Sequence, residues 1–179
     1  MRTVIKKVFW VWEFDKEEKW LNEMAAKGFA LVAVGFCRYE FERCEPGEYS
    51  HRLELLDNKP SHPESAQYIE FLESTGAEHV GSYLNWIYLR KKKEYGEFEI
   101  FSDLQSRINH LSRMIKLLAT IAALNLFPGL YNVILFLLMG HSISLVGFIN
   151  IAIVVFLAFG GSKLWKKREA LKKEKLLFE

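Results

Sequence analysis

Between Lys116 and Lys163 the chain contains no Asp, Glu, Lys or Arg. The run is LLATIAALNLFPGLYNVILFLLMGHSISLVGFINIAIVVFLAFGGS, residues 117–162. A bilayer's hydrocarbon core, about 30 Å thick, takes about 20 apolar residues per helix, so this stretch has room for two spans and a short turn. The sequence therefore predicts a two-helix transmembrane hairpin, with a bilayer as its first partner.

Charge divides the chain at the same place. Residues 1–100 hold 14 Lys and Arg against 18 Asp and Glu, whereas residues 101–179 hold 10 against 4. The acidic part resists phosphate backbones, so direct nucleic-acid binding is not expected. The basic part brackets the apolar run and suits an anionic membrane surface. About 100 residues suffice for one small domain with its own core. The amino-terminal VFWVW is too short for a signal-peptide core, and no small-residue cleavage site follows it, so this domain is expected in the cytoplasm. Cys37 and Cys44 match no zinc spacing and read as reduced structural thiols.

Within the first 100 residues the elements alternate. Residues 3–14, rich in Val, Ile, Phe and Trp, predict a strand. Asp15 caps a helix in which Trp20, Leu21 and Met24 recur at helical spacing, with Gly28 as its stop. Residues 29–43 read as a strand and residues 49–56 as its hairpin partner, joined by the turn chemistry of Glu45, Pro46, Gly47 and Glu48. Pro63 opens a second helix that Gly76 closes, and residues 78–92 return to strand composition. The order is βαββαβ, that of a ferredoxin-like sandwich, an α+β fold whose two helices leave one sheet face uncovered. No internal repeat is legible.

Residues 101–116 form a connecting amphipathic helix in this reading, capped by Ser102, with Leu104, Ile108, Leu111 and Ile115 along one stripe. That stripe suits docking on the sheet domain or pairing with a second copy, so a homodimer is a possible assembly. In the apolar run, Asn125, Gly129 and Asn132 fall near one face of the first span, and Gly147 and Asn150 recur in the second. Small and amide residues so placed permit close helix packing and hydrogen bonds between helices. Pro128 predicts a kink. Lys and Arg flank both outer ends of the run while the turn at Gly140, His141 and Ser142 has none, which puts both termini in the cytoplasm. Residues 163–179 form a basic tail, expected to lie along the membrane surface with Trp165 at the interface.

Catalytic groupings are sparse. There is no HExxH, CxxC, GxSxG or glycine-rich phosphate loop, and the five histidines are scattered, so neither an enzyme nor a cofactor or metal is expected. Binding is the stronger expectation. Trp10, Trp12, Tyr39, Trp86 and Tyr88 fall on predicted strands with His51 nearby, and an uncovered aromatic sheet face would make a surface for a partner or ligand.

The segments FWVWEFDKEEKWLNEMAAKGFALVAVGFCRYEFERCEPGEY, QYIEFLESTGAEHVGSYLNWIYLRKK and FEIFSDLQSRINHLSRM resemble the bacterial membrane-protein family catalogued as domain of unknown function 2812. The resemblance implies a membrane protein often encoded beside PadR-type transcriptional regulators, and hence a regulatory or sensing role. It carries over no catalytic residues. The alternative function is an accessory subunit of a membrane transporter, held through the Asn- and Gly-bearing faces of the hairpin.

Overall fold

The computed structural model describes residues 2–100, 104–139 and 145–178, and divides into two compact units, Met1–Ser102 and Asp103–Glu179. The expected cap at Ser102 and the turn at Gly140, His141 and Ser142 lie outside the described residues.

In the first unit, β1 (Thr3–Lys6) leads through a 3-10 turn (Val11–Glu13) into α1 (Phe14–Ala26). There follow β2 (Phe29–Gly35), β3 (Arg38–Arg43), β4 (Tyr49–Leu55), α2 (Pro63–Ser74), β5 (Ala77–Tyr83) and β6 (Trp86–Lys92). The strands form two antiparallel sheets of three, in the orders β1-β3-β2 and β4-β6-β5. This differs from the single βαββαβ sheet expected above. Residues 29–43 and 78–92, each read as one strand, fold back on themselves through two-residue turns that pair Gly35 with Arg38 and Tyr83 with Trp86. The expected β3–β4 hairpin does not form. Those strands belong to different sheets, and the crossing segment is tied to the end of α1, where Gly47 N–H donates to the Ala25 carbonyl at 2.8 Å.

The unit is a βαββ motif used twice, at an offset of 48 residues. Both helices stop at a glycine of positive φ, Gly28 at 84° and Gly76 at 87°, a conformation that costs other residues about 1–2 kcal/mol. Both hairpins slip register at the same place, between Leu31 and Ala33 and between His79 and Gly81. Between residues 14–48 and 62–96 the identities are Gly28 with Gly76 and Val32 with Val80, which is why the duplication is illegible in the sequence.

Two cores result. Leu21 of α1 joins Leu31, Tyr39 and Phe41 of the first sheet and Leu53 and Tyr88 of the second. On the second sheet's other side, Ile87 and Leu89 meet Ile69 and Leu72 of α2. Alternation along β6 thus buries the second sheet on both faces. The first sheet's outer face carries Arg38, Glu40 and Glu42, with Arg38 paired to Glu40 at 2.9 Å. The uncovered face is charged rather than aromatic. The strand expected over residues 3–14 ends at Lys6; one more rung of the same register, Lys7 N–H to the Cys37 carbonyl at 3.1 Å, follows, and there its partner β3 runs out into the hairpin turn. Glu13, not Asp15, stands at the N-cap of α1.

The second unit is two helices, α3 (Leu104–Met139) and α4 (Leu145–Phe178), antiparallel along their length. Both are long and apolar enough to cross a membrane. Helix continues on both sides of Pro128. A Cβ on Gly129 would lie 2.8 Å from Ile151 Cδ1, and one on Gly147 would lie 2.8 Å from Asn132 Cβ. The amides of Asn125 and Asn132 donate within their own helix, to the carbonyls of Ile121 and Pro128, both at 2.8 Å. They are not the cross-helix bonds expected, since each side chain reaches the carbonyl one turn back on its own helix. Towards the other end Ile108, Leu111, Met114 and Leu118 are buried, with Met114 in the place expected for Ile115, and Lys175 Nζ donates to Gln105 Oε1 at 3.1 Å. The basic tail continues α4 without a break.

Candidate functional site

Repetition of the βαββ motif, rather than an open sheet, decides where the six predicted surface residues go. Tyr39 on β3 and Tyr88 on β6 point inward from the two sheets and converge on Glu17 of α1. Each phenol donates to Glu17 Oε1 at 2.7 Å. Burial pushes the Glu17 carboxyl above its ordinary pKa, and the two phenol hydrogen bonds pull the other way. Tyr39 and Tyr88 are raised as well, first by burial and then by the carboxylate they serve. The arrangement ties α1 to both sheets through one polar atom. Glu17 lies one helical turn before Leu21 and two before Ala25, so a carboxylate in line with the buried face was the signal that sequence reasoning passed over.

His51 on β4 is likewise internal, with no solvent exposure. Its Nε2 accepts the Leu31 backbone N–H at 3.3 Å, which leaves the proton on Nδ1. Arg90 Nη1 donates to the Leu31 carbonyl at 3.1 Å, while Arg90 Nε holds Glu78 at 2.7 Å and the guanidinium lies 4.6 Å from the Tyr49 ring centre. β2 is an edge strand of its sheet, and both backbone groups of Leu31 are satisfied by side chains of the other sheet. An edge that would otherwise invite pairing is thereby closed. Burial, followed by the nearby Arg90 charge, lowers the His51 pKa from its ordinary 6.5 to about 4. Asn22 of α1 brackets the same residue, accepting from His51 N–H at 2.9 Å and donating to its carbonyl at 3.0 Å.

The tryptophans separate. Trp12 is buried, and Trp10 stacks on it with ring centres 5.7 Å apart while remaining half exposed. Trp86, partly buried, lies 6.4 Å from the Phe14 ring. Tyr39, Tyr88, Trp12 and His51 are therefore core residues and form no common surface; Trp10 and Trp86 stay at the edge.

What the fold does expose is one apolar end. The two hairpin turns lie side by side, with Phe36 in the first and Tyr83 at the base of the second 5.8 Å apart between ring centres. Phe36 is 76% exposed and Leu84 73%. Lys7, whose N–H donates to the Cys37 carbonyl, brings exposed Val8 to this end. Sequence reasoning missed it because it read through both turns. Among the described residues, no three His, Cys, Asp or Glu side chains gather as a metal site requires.

In the second unit, α3 and α4 leave no room for a Cβ at Gly129, which faces Asn150 and Ile151, or at Gly147, which faces Asn132. Asn125 is half-buried, one turn before Gly129.

No curated protein and no solved structure matches the chain. A family model matches residues 13–123, from the N-cap of α1 across the join between the two units and into α3. That match covers more than half of the chain, which belongs to the family described as Protein of unknown function (DUF2812).

Proposed function

We propose that this protein is a membrane-anchored, non-enzymatic binding module, with α3 and α4 crossing the bilayer and the α+β unit and both termini on the cytoplasmic side. The observation that carries the reading is the inverted exposure of the helix pair. Phe127, Leu137 and Leu138 are exposed while Gly129 and Gly147 are buried between the helices, an arrangement that lipid rewards and water penalises. The absence of Lys and Arg between Lys116 and Lys163, and their abundance outside those limits, supports the orientation. In the α+β unit the buried ionisable groups Glu17, His51 and Glu54 are bound to the scaffold at Tyr39 and Tyr88, Leu31, and Tyr68 respectively, which fits a structural role better than a catalytic one.

The partner class follows from the resemblance: a PadR-type transcriptional regulator, or a small ligand whose binding is relayed to one. The transporter-accessory alternative draws less support. The glycine faces that would hold a transporter helix are already filled by the hairpin's own Ile151 and Asn132. Affinity capture of the full-length protein from mild detergent tests the proposal. Recovery of a DNA-binding regulator supports it, recovery of a polytopic transporter supports the alternative, and recovery of neither across several growth conditions contradicts both.

A further inference from the structure

We infer that the paired hairpin turns of the α+β unit dock into the lipid surface, with Phe36 and Leu84 as the inserted side chains. The inference rests on the membrane reading of α3 and α4 and adds to it a second point of attachment. Phe36 and Leu84 are the first residues of their turns and occupy the same position in the two halves of the repeat, 48 residues apart. Two halves with almost no sequence identity therefore both place a large, exposed apolar side chain at one spot. Leu84 holds φ at 55°, a left-handed conformation that Gly or Asn adopts with far less strain. Backbone strain kept at an exposed position points to what the side chain does outside the fold.

The company these residues keep identifies the occupant. Val8 is exposed beside the first turn, with exposed Lys6 before it, Lys7 seated over the Phe9 and Trp20 rings, and half-exposed Trp10 two residues on; aromatic, aliphatic and cationic side chains together are the set that settles at a headgroup boundary.

Cys37, inside the first turn, supplies a native labelling position. The full-length Cys44→Ser protein, labelled there with an environment-sensitive fluorophore, is reconstituted into vesicles of phosphatidylethanolamine and phosphatidylglycerol containing a doxyl-labelled lipid. The reference is a label at Glu45→Cys in a Cys37→Ser, Cys44→Ser background, at the opposite end of the strands. The Cys37 label is expected to be quenched several-fold more strongly than the reference, and Phe36→Asp with Leu84→Asp should bring it down to the reference level. Leu84→Asn should raise the melting temperature of the α+β unit while weakening the quenching, a pairing that a purely structural Leu84 would not produce. Equal quenching at the two positions in protein that floats with the vesicles overturns the inference. So does energy transfer between Cys37 labels on different copies without lipid quenching, which would make the occupant a second copy. Protein that does not float with the vesicles overturns the membrane reading itself.

Discussion

The two units solve burial in opposite senses. In the α+β unit the large side chains are inside, with Phe41, Leu21, Leu31 and Tyr39 withdrawn from solvent; the Glu17 carboxyl and His51 Nε2 taken in with them are paired, while His51 Nδ1 meets no partner among the described residues. In the charge-free stretch of the helical unit large side chains such as Phe127, Leu137 and Leu138 are outside and the small Gly129 and Gly147 are inside, whereas beyond it Ile108, Leu111 and Met114 are buried as in an ordinary core. This is the contrast expected of a chain with one half in water and, as proposed above, the other in lipid. The contrast teaches that location is encoded by which side of an element its bulk is on, not by overall composition, which at 50% apolar is unremarkable for a globular protein.

Truncation tests the contrast most strongly. Phe41→Ala, in the first unit, is expected to cost about 3–5 kcal/mol in unfolding free energy. Leu138→Ala, an equally apolar residue on the outside of α3, should leave the stability of the helix pair in detergent nearly unchanged. Denaturation followed by near-ultraviolet circular dichroism for the first, and helix-pair crosslinking for the second, would read the difference. If Leu138→Ala separates the helices, the inverted reading is wrong.

Acid provides the next test. His51 binds a proton at about pH 4 when folded and at about 6.5 when unfolded, so between those values the unfolded state holds more protons. Stability is full above pH 6.5 and falls as the pH drops towards 4, by about 3 kcal/mol for a shift of this size. The burial that raises Glu17 acts in the other direction, lowering stability as pH rises above the ordinary carboxylate range. His51→Gln should remove the loss on the acid side, and Glu17→Gln should flatten the opposing slope. Melting temperature against pH measures both.

Helix packing and the phenol pair give smaller effects. Gly147→Leu drives a side chain into Asn132 and is expected to cost about 1–3 kcal/mol of hairpin stability, seen as loss of crosslinking between cysteines placed on the facing helices. Tyr88→Phe removes one of two donors to Glu17 and should cost about 1–2 kcal/mol, since Tyr39 still holds the carboxylate.

Much of this was legible in the sequence, and the failures have physical causes. The charge-free run announced the helix pair because exclusion of charge over that length has few other uses. Both soluble helices were marked by their stops at Gly28 and Gly76. The strands were misjudged because the hairpin turns carry weak turn signals: Phe36-Cys37 continues the apolar composition on either side, and in Leu84-Asn85 a lone Asn, without a following Gly, was the one cue. Run length was the available warning, since both misread strands exceeded about 10 residues, beyond the ordinary range. Once the turns were missed, the duplication, the burial of Tyr39 and Tyr88, and the apolar end were all out of reach. His51 stands on an otherwise apolar strand face, where a hydrogen-bonded edge or core histidine is the commoner case, and the second sheet's burial on both faces makes it a core residue rather than part of a surface.

The central claim is that α3 and α4 lie in lipid. Cells expressing the full-length protein can be broken without detergent and their membranes collected at high speed, washed in alkaline carbonate and floated through a sucrose gradient. The account predicts that the protein stays with the floating membranes through both steps and leaves them only in detergent. Protein recovered from the first supernatant, or released by carbonate alone, would contradict it.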